Sequence, residues 1–248
     1  MTRGSVDWSA PVRALILDID DTLLDTQQAM RQACCRGAGA AWPGQAPPVW
    51  QAVSDVFYED PEGYFDAYTR GELEFSLMRE SRYLRACAEV GLGTSGFEEF
   101  EAAYRLAFKQ SQTVFDDVEE FFASVEAAGV PVCFVTNSGA EQTAVKLEVS
   151  GLAGRGCVVT TDTLGVGKPD RRVFDEACRL MGVACVDTVC VGDTFGSDVV
   201  GGRGAGMRVA WLQRPDKPAP RHAEWGRLVR DEGVRVVGSL REVATLLG

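Results

Sequence analysis

Four short runs in this sequence bring together side chains able to do chemistry. They are Asp18-Ile19-Asp20-Asp21-Thr22, Thr136-Asn137-Ser138, Gly167-Lys168-Pro169, and Gly192-Asp193-Thr194 with Asp198 five residues beyond Asp193. Side chains alternate along extended backbone, so Asp18 and Asp20 can point the same way. Two carboxylates on one face repel unless they share a cation or a proton. Oxygen ligands of this kind suit a hard dication such as magnesium. Asp18 and Asp193 can supply two ligands, and a backbone carbonyl near Asp20 a third. With charge on a phosphoryl group neutralised, Asp18 is suited to attack phosphorus in line. Asp20, holding a proton, could give it to the leaving oxygen and then act as base on water. Lys168 and the Thr136 hydroxyl would hold the remaining phosphoryl oxygens.

Such chemistry needs elements that deliver the four runs to one rim. Residues 13–19 form an apolar run typical of a buried parallel strand. From Gln27 to Ser111 the apolar residues fall at helical spacing, broken by the Pro/Gly-rich stretch Trp42 to Pro48. Leu73, Leu77, Leu84 and Ala88 can share one helical face, and so can Phe97, Phe100, Tyr104 and Phe108. Alternation then begins. Val118, Phe121, Phe122 and Val125 mark a helix that Gly129 ends, and Val130 to Val135 reads as a strand. A helix over Glu141 to Val149 and a strand over Cys157 to Thr161 follow. Pro169 is placed as the first residue of a helix whose buried stripe is Val173, Phe174, Ala177, Leu180 and Met181, stopped by Gly182. Thr188 to Val191, Arg208 to Leu212 and Val234 to Val237 are strands. Lys217 to Arg227 is a proline-containing loop. Ser239 and Glu242 make a capping-box pattern before a terminal helix.

This order predicts an α/β protein with a Rossmann-like, doubly wound parallel sheet. The core is expected over 1–26 and 112–248, interrupted by an all-helical cap domain over 27–111. Ligands of such sheets bind beyond the carboxyl ends of the strands, where the four runs fall.

In these motifs the chain resembles the haloacid dehalogenase superfamily. Asp18-Ile19-Asp20-Asp21-Thr22-Leu23, Thr136-Asn137, Lys168-Pro169-Asp170 and Gly192-Asp193 with Asp198 stand in that family's order over about residues 13–213. The resemblance implies a Rossmann-like core, a helical cap between the first two motifs, and a magnesium cofactor. It implies Asp18 as nucleophile, Asp20 as acid and base, Lys168 steadying nucleophile and phosphate, and Asp193 and Asp198 at the metal site. The metal set expected is Asp18, Asp20, Asp193 and Asp198, with Thr136 and Asn137 binding substrate. Asn137 is expected to act through its backbone N–H more than its side chain. Asp20 points to phosphate esters, since dehalogenases of the superfamily carry a different residue there. Asp21 departs from the family's usual glycine. Aspartate there, with the runs Gly165 to Asp170 and Gly192 to Asp198, resembles a subset that includes nucleotidase-like phosphatases. A phosphomutase, a non-catalytic phosphate-binding protein and a signalling receiver domain are the rival readings. The last lacks the insert and has its Lys-Pro at the final strand.

Composition narrows the partners. The chain has 248 residues, 46% apolar and 25% charged, with a formal charge of −11. That is the balance of a soluble globular protein. Its sign repels polyanions, so a small phosphate ester is expected as ligand and not a nucleic-acid polymer. No apolar run is long enough to span a bilayer, and Met1 to Ala10 has no apolar signal core, so a cytoplasmic protein with no membrane partner is expected. The eight cysteines include no C-x-x-C pair and read as buried thiols. His222 reads as a surface-loop residue. Arg79, Arg82 and Arg85 read as a solvated helix face balanced by Glu80 and Glu89.

Overall fold

In a computed structural model of the chain, residues 7–215 and 233–247 are described. Two compact units emerge. One comprises the residues up to Leu23, Val114–Thr143 and those from Leu152 onward; the other comprises Leu24–Thr113 with Ala144–Gly151.

The first unit opens on strand β1 (Ala14–Leu17), whose four residues are all buried. The second unit holds helices α1 (Thr26–Ala41), α2 (Pro47–Glu59), α3 (Tyr64–Thr69), α4 (Phe75–Glu89) and α5 (Phe97–Gln110). Asp25 caps α1 by accepting from the Gln28 N–H, and a proline at the first position opens α2. Phe57, Tyr83, Phe100 and Tyr104 pack with Ala33, Ala38 and Ala86 to form this unit's core.

One expectation fails here. The buried face of α4 is Met78, Arg79, Arg82, Tyr83, Ala86 and Cys87, while Leu77 and Ala88 are exposed. Nor are Arg79 and Arg82 solvated. The Arg79 guanidinium lies 3.8 Å from the Tyr104 ring centre and donates to Glu101 at 2.8 Å. Arg82 donates to the Phe57 carbonyl at the end of α2 and stacks on the Phe57 ring. Weak hydration and a planar face let a guanidinium enter an aromatic core when its donors are matched. Arg85 does stay at the surface, paired with Glu62 and Glu89.

The first unit continues with α6 (Val118–Ala128), β2 (Val132–Val135), α7 (Ala140–Val149), β3 (Cys157–Val159), α8 (Thr161–Leu164), α9 (Arg171–Met181), β4 (Thr188–Gly192), α10 (Val200–Gly204), β5 (Arg208–Leu212), β6 (Val234–Val237) and α11 (Leu240–Ala244). The second half of α7 belongs to the other unit. The strands form one parallel sheet in the order β3-β2-β1-β4-β5-β6. Every residue of β1, β2, β4 and β5 is buried. Helices cover both faces of such a sheet, which is why these strands read as unbroken apolar runs. The buried stripe of α9 is Val173, Phe174, Ala177 and Cys178. Leu180, expected in that stripe, is exposed.

Other boundaries also differ from the sequence reading. Pro169 does not start α9: it follows a cis peptide bond, and Asp170 caps the helix by accepting from the Arg172 N–H. Thr160 and Thr163 form a reciprocal cap on α8 in place of two more strand residues. Ser239 accepts from the Glu242 N–H, but the Glu242 side chain reaches the Gly238 N–H. All eight cysteines are free thiols, four of them fully interior to strands or helices and one more, Cys178, nearly so. The loop from Lys217 to Arg227 and His222 lie outside the described residues. No helix among the described residues is long and apolar enough to cross a membrane.

The sheet order positions the site. From β1 the chain builds outward through β2 and β3, then crosses back to place β4 on the other side of β1. In sheets of this kind the ligand crevice lies beyond the carboxyl ends of the two strands where the direction of winding reverses. Those strands are β1 and β4, and they lead into Asp18 and Asp193.

Candidate active site

Asp18 directly follows β1 and continues the pairing with β4 through its N–H to the Val191 carbonyl at 2.9 Å. The side chain is buried. Lys168 Nζ donates to Asp18 Oδ1 at 2.5 Å and to Asp198 Oδ1 at 2.7 Å, and Lys168 and Asp198 are buried too. One carboxylate oxygen from each of Asp18, Asp193 and Asp198 lies within 4.8 Å of the others. The Asp20 carboxylate is outside that group. It accepts from the Ser138 hydroxyl at 3.1 Å. Of the four carboxylates expected at the metal, those of Asp18, Asp193 and Asp198 converge, while Asp20 is bonded to Ser138.

The electrostatics follow from that packing. Burial pushes the Asp18 carboxyl up to about 7; the Lys168 ammonium opposes this, and the Asp198 and Asp20 charges add to it. Desolvation alone would lower Lys168, but Asp18 and Asp198 hold its ammonium well above the usual range. Three carboxylates, those of Asp18, Asp193 and Asp198, cluster beside one ammonium here. Hard oxygen donors and an excess of negative charge fit a dication such as magnesium, with Asp18, Asp193 and Asp198 to hold it.

Each charged group is braced locally. Asp198 closes back through its Oδ2 on the Thr194 N–H at 2.9 Å, across a π-helical turn over Phe195–Val199. A Cβ added at Gly192 would fall 2.3 Å from Asp198 Cγ, so only glycine lets that side chain pass. Asp21 has φ +58°, a left-handed conformation that glycine enters without strain and aspartate tolerates. This accounts for how the chain turns sharply after Asp20, with the Leu23 N–H bonded to the Ile19 carbonyl at 2.9 Å.

The Thr136 hydroxyl oxygen accepts from the Ser138 N–H at 3.2 Å, which leaves its proton free to be donated. Asn137 has a side-chain role the sequence did not suggest: Nδ2 donates to the Lys168 carbonyl at 3.0 Å, and the Lys168 N–H donates to Oδ1 at 2.6 Å. Asn137 therefore holds the peptide that carries the lysine. Gly167 makes room, since a Cβ there would fall 2.4 Å from Asn137 Oδ1. Asn137→Ala is expected to leave two partly buried peptide groups unmatched and to cost about 1–3 kcal/mol of stability. Chemical denaturation measures this; an unchanged midpoint would show that the clamp contributes nothing.

Sequence reasoning missed the end of β5. The Trp211 indole N–H donates to the Asp193 carbonyl at 2.8 Å, and Gln213 reaches the same oxygen at 3.4 Å. Arg214 donates to the Thr22 carbonyl at 2.7 Å. Their position at or just past the end of β5 was a usable signal; what they touch was not.

Known proteins resemble this chain over most of its length. A family model described as haloacid dehalogenase-like hydrolase matches residues 12–206. A phosphoserine phosphatase of Thermus thermophilus is 28% identical, over 94% of this chain and 98% of that protein. Human N-acylneuraminate-9-phosphatase is 25% identical, over 82% and 83% of the two chains. The crystal structure of the HAD-hydrolase YfnB of Bacillus subtilis, bound to magnesium, covers 96% of this chain and 99% of that one with a TM-score of 0.74; its 19% identity makes this a likeness of fold. On the family match, which spans most of the chain and all four motif runs, this protein belongs to the haloacid dehalogenase-like hydrolases.

Proposed function

We propose that this hydrolase is a magnesium-dependent phosphatase that cleaves small phosphomonoesters through a phosphorylated Asp18. The observation that carries the reading is the buried Asp18 at the end of β1, paired with Lys168, with Asp20 two residues on and tethered to Ser138. Asp18 forms a bond to phosphorus as the bond to the ester oxygen breaks, and Asp20 gives that oxygen its proton. Water then attacks the same phosphorus, Asp20 takes the water's proton, and the Asp18–phosphorus bond breaks to release phosphate. Lys168 orients the Asp18 carboxylate and offsets charge on the phosphoryl oxygens, to which Thr136 donates its hydroxyl proton. Magnesium, held by Asp18, Asp193 and Asp198, would neutralise further phosphoryl charge when bound. Asn137 serves by fixing Lys168. The helical unit between β1 and β2 is read as the cap, on the ground of its place in the chain.

The substrate class proposed is a small phosphorylated metabolite, a nucleoside monophosphate or a sugar phosphate. The names of the relatives add phosphoserine and phosphoglycolate to the set to be tried. A phosphate-release screen over these compounds and p-nitrophenyl phosphate tests the reading. Turnover with magnesium and its loss on chelation are expected. Inertness toward every ester, aryl phosphate included, would overturn it.

The raised carboxyl of Asp18 sets a pH dependence. Holding a cation requires the ionised form, so protons compete below about pH 7. Apparent magnesium affinity is expected to weaken by up to about tenfold per unit as pH falls from 7 to 6, and to level off toward pH 8. Magnesium titrations at pH 6, 7 and 8 check this. An affinity independent of pH would remove Asp18 from the metal site.

A further inference from the structure

Asp20 stands on the tight loop Asp18–Leu23, and that loop is gripped on both flanks. Ser138 holds the Asp20 carboxylate from the end of β2. On the other side, Arg214 Nη2 donates to the Thr22 carbonyl at 2.7 Å. The guanidinium is itself immobilised. It pairs with Asp117 through both terminal nitrogens, at 3.3 and 3.1 Å, and lies 3.6 Å from the centre of the Phe115 ring. Asp117 is buried and Arg214 is mostly so: the Arg214 side chain is 9% exposed and that of Asp117 1%. Arg214 Nε, also buried, has no hydrogen-bond partner among the described residues. Among the described residues the fork thus spends its donors on Asp117 and Thr22, at a cost that a solvent-facing arginine would avoid. Asp117 accepts in addition from the Leu240 N–H at 2.8 Å, so a purely structural role for the pair has to be separated by experiment.

We infer that Arg214, locked by Asp117, is a positioning residue for Asp20: by fixing the Thr22 carbonyl it sets the backbone of the loop that presents the general acid. The inference rests on the proposed phosphatase reading. A fixed side chain two peptides away matters because proton transfer needs the acid within hydrogen-bond reach of the leaving oxygen, and small misplacements cost large factors in rate.

The role predicts a dependence on leaving group. An alkoxide needs the Asp20 proton to depart; p-nitrophenolate leaves without it. Arg214→Lys keeps the charge but loses the planar fork. It is expected to lower kcat/KM about tenfold or more on an alkyl phosphate that the wild type turns over, and no more than about threefold on p-nitrophenyl phosphate. Asp117→Asn should shift the two esters in the same unequal way, and Asp20→Asn should show the same selectivity more strongly. Amide hydrogen exchange at residues 19–23 should quicken in Arg214→Lys while that of Ala14–Leu17 stays slow. Equal losses on the two esters, or no loss on either, would overturn the inference while leaving the phosphatase reading intact. An Asp20→Asn variant without leaving-group selectivity would overturn the acid assignment and this inference with it. A wild type inert toward both esters would overturn the function and the inference together.

Discussion

Asp18→Asn is expected to abolish phosphate release, by a factor on the order of 10⁴ or more, as removal of a covalent nucleophile does. Asparagine has the shape of aspartate but offers a neutral amide that cannot bond phosphorus productively. The fold should survive the change, because Lys168 keeps its 2.7 Å pair with Asp198. Stability gives an independent check. The Asp18 carboxyl is raised from 3.8 to about 7, so between those values the native state binds more protons than the unfolded state. Stability contributed by this group therefore falls as pH rises from about 4 to 7. The asparagine variant lacks that slope and should gain on the wild type in thermal denaturation from pH 5 to pH 8. Acid-quenched wild type should carry phosphate on the peptide containing Asp18, and the variant should carry none. Turnover undiminished in Asp18→Asn would refute the mechanism outright.

Lys168→Met should cost both activity and stability. Lys168 is the ammonium bonded to the buried carboxylates of Asp18 and Asp198. Removing one partner of a buried ion pair leaves uncompensated charge and typically costs about 3–5 kcal/mol. Here the cost should depend on pH. Without Lys168, Asp18 loses the neighbour that opposes its upward shift, so it takes up a proton more readily and relieves part of the penalty in mild acid. Urea denaturation should show a larger deficit at pH 8 than at pH 6. Activity should fall by about 10²–10³ or more, the scale seen when one charge-stabilising donor is lost from a reaction site. Lys168→Arg is not expected to rescue it, since a planar fork cannot take the place of a compact ammonium between two buried oxygens. A variant with the same deficit at both pH values would show that Asp18 and Asp198 do not lean on Lys168.

Much of this was legible from residue order. Apolar runs of four or five residues ending in Asp, Thr or Gly-Asp identified β1, β2 and β4, because a strand covered on both faces has no polar alternation to hide it. Their polar ends then marked the rim, since ligands of such sheets meet the carboxyl ends of the strands. The aromatic spacing in α5 likewise gave Phe100 and Tyr104 to the helical core.

Other features depended on neighbours distant in the chain. No periodicity could place Arg79 and Arg82 inside, because their burial requires Tyr104, Phe57 and Glu101 to be waiting on other helices. The Asn137 clamp on Lys168 spans 31 residues, and the reach of Arg214 to Thr22 spans 192. Residue types and their order by themselves determined the layered parallel fold and the candidate acidic and basic residues near its strand ends, since burial and alternation are local properties of a strand. Tertiary structure alone decided that the carboxylates of Asp18, Asp193 and Asp198 converge and that Asp20 bonds to Ser138. Distances of a few ångströms between strand ends depend on sheet order, twist and the bracing of each loop, and none of these is written in the spacing of residues along one strand.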